Sequence, residues 1–467
     1  MKSHLLIGAA SSGSGKTTFT LGLLKALKKR GERVQPFKCG PDYIDTQHHA
    51  LAAGKPSVNL DTWMASEEHI KALYCHYGED ASVCVTEGVM GLFDGYDGMR
   101  GSSAAIACLL RIPVVLILNA RSMAYSVAPI LYGYKHFHSS INIVGVVFNQ
   151  VAGESHFSYL KQACEDAGVE CLGYLPRKSD IEIPSRHLGL TLDEKFRFDA
   201  FTDRIAELIE EFVDVDRLLQ LSSLNLENSM DGRVLASKQA QCSDERPTTN
   251  NNQIDCHQNL SEKESKNTAT AGSGENPAMK IAIARDEAFN FTYCENIRRL
   301  EEWGSVSYFS PLKDHALPEA DFVYLPGGYP EFFLPELSEN ITMIESIKAY
   351  ARAGGKLLAE CGGMMYLCRS ITGMDGCAYT MAGVLEQDAT MDQMKLHLGY
   401  RRVTYQGIPL CGHEFHYSKI LHPLESVATQ YNAKGMPTDT ALIRYNNVIA
   451  SYTHFYWGEQ NILDLWK

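Results

Sequence analysis

Through the first part of the chain, short apolar runs recur between longer stretches whose apolar positions follow helical spacing. The runs "HLLIGA" (4–9), "VQPFK" (34–38), "VCVTEG" (83–88), "VVLILNA" (114–120) and "NIVGVVFN" (142–149) are apolar at most positions instead of at alternate ones. Strands buried on both faces have that pattern. The stretch after the first run, "TTFTLGLLKALKKRG", has helical spacing and ends in lysines and Gly31, which reads as a helix with its C-terminal stop. The alternation returns in "KIAIAR" (280–285), "FVYLPGG" (322–328), "KLLAEC" (356–361) and "VIASYTH" (448–454). Strands alternating with helices predict parallel sheets covered by helices.

Between these regions the pattern stops. No Phe, Tyr or Trp occurs between Phe212 and Phe289, and "NNNQIDCHQNLSEKESKNTATAGSGENP" is rich in Asn, Ser, Thr, Lys and Glu. Such a segment buries too little apolar surface to offset its ordering entropy. The expected organisation is therefore α/β with two domains, 1–221 and 279–467, joined by a flexible linker over 222–278. There is no internal repeat.

Composition narrows the function. A formal net charge of -13 argues against a nucleic-acid surface, which needs a basic face, and favours a small or organic substrate. The 13 cysteines include no C-x-x-C pair, which fits reduced thiols better than a disulfide framework or a zinc site. The apolar run at the N-terminus ends at once in glycine and serine, and no later run is long enough to span a membrane, so a cytoplasmic protein is expected.

The chemistry begins in "GAASSGSGKTTFT" (8–20). Strand, glycine-serine turn and helix follow in the order that aims backbone N–H groups and the helix dipole at an anion. Gly13, Ser14 and Gly15 would let the backbone approach ATP phosphates, Lys16 would reach the terminal phosphates, and Thr17, followed by Thr18, would offer its hydroxyl to Mg2+. Ala10 stands where the pattern usually has its first glycine, a change that costs little if its φ is negative. Glu87 ends an expected strand, where a parallel sheet presents ligands, and would hold or orient the metal. Asp42 and Asp45 lie in "FKCGPDYID", where a Pro-Asp turn would point carboxylates into the same crevice. Asn149, at the end of the fifth run, reads equally as a nucleobase contact or a turn initiator.

In the second half, an apolar strand runs into Cys361, and Gly362 and Gly363 lead into a helical run. A thiol on such an elbow is expected to be exposed and, beside a helix N-terminus, lowered in pKa. It would attack an amide, with His454 at the end of the last strand as proton donor. Gly327 and Gly328 of "LPGGYPE", with the N–H of Gly362, would form the oxyanion cradle.

These residues carry a resemblance. "LPGGYPE", "ECGGMMYL" and "SYTHFYW" resemble triad-type glutamine amidotransferase domains. "SSGSGKTT", "FKCGPDYID" and "VTEGVMGLFDG" resemble ATP-dependent amide ligases related to dethiobiotin synthetase. A chain with both in this order is similar to the glutamine-hydrolysing corrinoid amidase family of cobalamin biosynthesis, the cobyrinic acid a,c-diamide synthases.

The resemblance implies that ATP phosphorylates a peripheral carboxylate of cobyrinic acid and that ammonia from L-glutamine displaces the phosphate, first at one side chain and then at a second. It makes Asp42, Asp45, Glu87 and Asp94 the acids of the ligase site, with Thr17, Asp45 and Glu87 at the metal. Cys361 and His454 become the glutaminase pair. It also implies places near the macrocycle or the domain interface for His413, Glu414 and His416 in "GHEFHYS", marks "RHLGL" (186–190) as a family stretch, and leaves a homodimer open.

One departure stands out: Tyr456 occupies the position where His-x-Glu members carry the acid that orients the imidazole. Cobyric acid synthase is the neighbouring alternative, against which "GPDYID" argues. Hydrogenobyrinic acid and nickel-sirohydrochlorin stay open as substrates, because motifs report the reaction and not the metal in the ring. From another class, a partitioning-type ATPase switch usually has a lysine near the start of the loop, where this chain has Ser11.

Overall fold

The computed structural model describes residues 2–178, 198–223 and 279–467. Most of the expected linker and all of "RHLGL" lie outside the described residues. Ser222 and Ser223 belong to the first domain: Ser222 accepts the N–H of His4 at 2.8 Å, and Ser223 bridges Ser3.

The first domain is built on a seven-stranded sheet. Its strands are β1 (Ser3–Ala9), β2 (Val34–Cys39), β3 (Val58–Leu60), β4 (Val83–Glu87), β5 (Val114–Asn119), β6 (Ile143–Val151) and β7 (Cys171–Pro176), in the order β3-β2-β4-β1-β5-β6-β7. All neighbours are parallel. The near-continuous apolar runs are explained by two cores, one on each face. Leu6, Leu116 and Leu118 enter one, while Leu5, Ile7 and Ile117 enter the other. Helix α1 (Lys16–Lys29) follows β1 and helix α2 (Ile44–Ala53) follows β2, so both N-termini lie at the carboxyl edge of the sheet.

The second domain has a six-stranded sheet from β8 (Met279–Ala284), β9 (Gly304–Phe309), β10 (Phe322–Leu325), β11 (Lys356–Glu360), β18 (Leu442–Tyr445) and β19 (Val448–Ser451), in the order β18-β19-β11-β10-β8-β9. Only the β18–β19 pair is antiparallel. A small sheet, β13-β12-β14-β17, is formed by β12 (Ser370–Thr372), β13 (Ala378–Thr380), β14 (Asp388–Thr390) and β17 (Lys419–Leu421). An antiparallel sheet comprises β15 (His397–Tyr405), β16 (Ile408–His416) and β20 (His454–Tyr456).

The α/β reading holds in both domains. "VIASYTH", expected as one strand, is divided: β19 lies in the six-stranded sheet, and β20 begins at His454 and pairs with β16. A break at Tyr452 and Thr453 lets one chain segment serve two sheets, so His454 starts a strand instead of ending one. Among the described residues, no helix is long and apolar enough to cross a membrane.

Candidate functional site

The loop between β1 and α1 owes its shape to two left-handed glycines, Gly13 at φ 75° and Gly15 at φ 97°, while Ala10 keeps a negative φ. The missing first glycine therefore carries no steric cost. A Cβ on Gly15 would lie 2.0 Å from Nδ2 of Asn149. Asn149 donates that amide to the Ser14 carbonyl at 3.1 Å, and its Oδ1 accepts the N–H of Gln150 at 2.9 Å. Its amide thus props the phosphate loop at Ser14. Ser14 also acts within the loop, donating to the Ser11 carbonyl at 2.9 Å. Thr18 is half-buried in the first turn of α1.

Thr17 donates to Glu87 at 2.8 Å and faces Asp45 at 3.5 Å, so the three expected metal ligands converge. Between the two carboxylates lies an ammonium that the sequence reading passed over. Lys38 Nζ is 2.6 Å from Asp45 and 2.8 Å from Glu87, and all three side chains are nearly inaccessible to solvent. The parallel register sets Lys38 beside Glu87 on adjacent strands. Burial disfavours each charge, yet Asp45 and Glu87 outweigh it and hold the Lys38 ammonium well above its ordinary range. Burial likewise opposes ionisation of Glu87, and Lys38 and His49 overcome it, holding the carboxyl well below its usual value. His49 Nε2 is 2.7 Å from the second Glu87 oxygen. Lys16 donates to the Met90 carbonyl after β4 at 2.6 Å and to the Ser11 carbonyl of its own loop at 3.4 Å.

The other two acids have local duties. Asp42 accepts the N–H groups of Ile44 at 3.0 Å and Asp45 at 2.8 Å, which caps α2 and fixes Asp45 in place. Asp94 accepts the N–H of Gly91 at 2.9 Å.

In the second domain, β11 delivers Cys361 onto a strained elbow, φ 46° and ψ -106°, ahead of the short helix Gly362–Leu367. Only close packing sustains such a backbone. A Cβ on Gly363 would lie 2.2 Å from the Leu325 carbonyl, and one on Gly362 would lie 3.1 Å from the Gly328 nitrogen. The elbow therefore sits directly on the end of β10, with Gly328 and Gly362 side by side. The expected exposed, acidic thiol is corrected: Cys361 is 4 % exposed, and burial, reinforced by Glu331, pushes the thiol well up. Its sulfur faces the Phe415 carbonyl at 3.8 Å.

His454 lies against Gly327, where a Cβ would come within 2.1 Å of Cε1. Neither ring nitrogen has a hydrogen-bond partner among the described residues. Burial, with His413 and His416, pulls its pKa down to about 3. Tyr43, from the first domain's Asp42–Asp45 turn, packs on the imidazole at 4.9 Å between ring centroids. The same tyrosine stacks on Phe291 at 5.3 Å. One turn thus reaches both centres, with Asp45 at the phosphate loop and Tyr43 at the histidine.

A cavity of about 1250 Å³ opens beside this turn, lined by Asp42, Met90 and Tyr96 of the first domain and by Glu331, Leu398, His413, Phe415 and His454 of the second. His413 faces it from β16, as expected. Glu414 and His416 do not, because alternate residues of a strand face opposite ways. Glu414 is held by Arg401 at 2.6 Å, Thr440 at 2.7 Å and His416 at 2.7 Å.

Sequence comparison agrees with this two-centre layout. Residues 5–190 match the CobQ/CobB/MinD/ParA nucleotide binding domain family, and residues 280–462 match the CobB/CobQ-like glutamine amidotransferase domain family. The chain is 37% identical to a cobyrinate a,c-diamide synthase of Dehalococcoides mccartyi (strain CBDB1), covering 97% of this chain and 95% of that one. It is 35% identical to enzymes of the same name from Picrophilus torridus and Salmonella typhimurium, each time over 97% of this chain and 95% of the relative.

Proposed function

The chain belongs to the cobyrinate a,c-diamide synthase family, and from that premise we propose that it amidates the a and c carboxylates of cobyrinic acid with ATP and glutamine. The observation that carries this reading is the Asp42–Asp45 turn, which touches the phosphate-loop cluster through Asp45 and the buried imidazole through Tyr43. The large cavity beside it suits an extended ring with apolar edges.

A carboxylate at neutral pH is a poor electrophile, because attack must expel an oxide. Transfer of the γ-phosphoryl group to the substrate carboxylate supplies a leaving group, and the protein's part is positioned positive charge. Gly13 and Gly15 bring backbone N–H groups to the phosphates, and Lys16 exchanges the Met90 carbonyl for a phosphate oxygen. Thr17, Asp45 and Glu87 form an all-oxygen donor set that suits Mg2+. The pairing of the Lys38 ammonium with Asp45 and Glu87 supports a cluster that favours positive charge. Bound there, the ion would neutralise phosphate charge.

At the other centre, the Cys361 thiol passes its proton to His454 as sulfur attacks the glutamine amide. The backbone N–H groups of Gly328 and Gly362 receive the oxyanion, and His454 returns the proton to the departing ammonia. Water then releases glutamate from the thioester. Because the thiol is raised and the imidazole lowered, the resting pair is neutral, and charge separation awaits substrate. Ammonia released beside the acceptor and shielded from water stays unprotonated and nucleophilic.

Incubation with cobyrinic acid, ATP, magnesium and glutamine, scored by mass for one and two amide additions, tests the reading. Cys361→Ala should lose glutamine use and keep activity with added ammonia, whereas Lys16→Ala should lose both. Glutamine-independent ATP turnover stimulated by a protein partner, without amidation, would instead support an ATPase switch.

A further inference from the structure

Tyr456 stands where triad-type amidotransferases carry the acid that orients the histidine, and the structure sends it elsewhere. Its hydroxyl pairs with His69 Nε2 at 2.8 Å, and its ring packs edge-on to Tyr293. His454 is nevertheless 1 % exposed, with both ring nitrogens unpartnered among the described residues. A buried imidazole in that condition is costly and poorly fixed in tautomer.

Among the described residues, one carboxyl group lies within ion-pair distance of the ring. Glu360 Oε2 is 4.0 Å from His454 Nδ1, and both side chains are 1 % exposed. Glu360 ends β11 and directly precedes the nucleophile, so strand and elbow position acid and thiol together. Its Oε1 accepts the N–H of Phe455 at 2.9 Å, tying it to the residue after the histidine. Its Oε2 accepts the Tyr324 hydroxyl at 2.7 Å and keeps a second lone pair. The other nearby acid, Glu414, is committed to Arg401, Thr440 and His416.

We propose that Glu360 is the positioning acid of the glutaminase centre, its Oε2 accepting the Nδ1–H of His454 in place of the acid missing at Tyr456. The inference rests on the glutaminase reading of Cys361 and His454. Separations of this kind are often long in empty sites and close when substrate binds. With the bond made, the Nδ1–H favours the ionised form of a carboxyl group that burial otherwise raises, Nδ1 keeps its hydrogen, and Nε2 is free to take the thiol proton.

The test compares Glu360→Gln, nearly isosteric, with Glu360→Asp, which keeps the acid on a shorter stem. The expected result for Glu360→Gln is a fall of roughly 10²-fold in glutamine-dependent kcat. KM for glutamine and the ammonia-dependent amidation rate should be unchanged, and Glu360→Asp should retain more activity than Glu360→Gln. A glutamine-dependent kcat within about threefold of the parent overturns the proposal, since removing a positioning group costs more than that. So does an equal loss with glutamine and ammonia, which would mark a purely structural role, or greater activity in Glu360→Gln than in Glu360→Asp. Cys361→Ala, assayed alongside, separates this failure from failure of the underlying reading: if it still uses glutamine, the nucleophile itself is misassigned.

Discussion

At the scale of single residues, Lys38 is the strongest constraint on the first centre. Removing one partner of a buried ion cluster leaves the other charges uncompensated, typically at a cost of about 3–5 kcal/mol. Lys38→Met should lower the urea midpoint correspondingly and abolish amidation with either nitrogen source, whereas a surface lysine such as Lys313 should be replaceable with neither effect. Lys38 lies inside "FKCGPDYID", and its signal was a lysine in an otherwise apolar strand. Periodicity marks such a residue as an oddity and gives no partner for it. Lys16, Thr17 and Cys361 were legible because a phosphate loop and a nucleophile elbow are local shapes. Glu360 was not, because its meaning depends on a histidine far along the chain.

At the scale of elements, the close approach of elbow to strand is the feature most open to attack. Gly363→Ala would drive a Cβ against the Leu325 carbonyl, a backbone atom of β10 that cannot swing aside. Glutamine-dependent activity should fall sharply with the ammonia-dependent rate largely kept, and stability should drop by about 1–3 kcal/mol; paired assays and urea titration check both. The cap of α2 makes a second case. Asp42→Ala removes the acceptor for two N–H groups at the start of the helix that carries Asp45, at about 0.5–2 kcal/mol. Because Tyr43 lies in the same turn, both half-reactions should slow, which separate glutaminase and ammonia-dependent assays would register.

At the scale of the whole molecule, domain contact and proton linkage act together. Tyr400 donates to Asp61 at 2.7 Å, and Glu459 accepts the N–H of Ser66 at 2.8 Å, so the first domain is tied to the second beside the cavity. Burial lowers His4 and His413 to about 4 and His454 to about 3. Their contribution to stability is complete above the ordinary histidine value near 6.5 and is lost as pH falls through 4 to 3. Burial raises Glu331 to about 7 and Glu360 to about 8. Their contribution is complete below the ordinary glutamate value and is lost as pH rises through 7 to 8. Between about pH 4.5 and 6.5 the two sets oppose each other. The urea midpoint should therefore be flattest there, fall below about pH 4, and decline again toward pH 8. Glu360→Gln should flatten the alkaline limb.

The sequence by itself determined what repeats locally: the buried parallel strands, the phosphate loop, the elbow at Cys361 and the aromatic-free segment before residue 279. These follow from backbone geometry and the solvation of neighbouring residues, which a short window contains. Tertiary structure alone decided the partnerships: Lys38 between Asp45 and Glu87, Asn149 beneath its loop, Tyr43 against His454, and Glu360 near an imidazole that Tyr456 does not serve. It also decided the protonation states, turning an expected reactive thiol into a buried neutral one. Desolvation and charge pairing depend on what lies across space, and that is set only when distant segments pack.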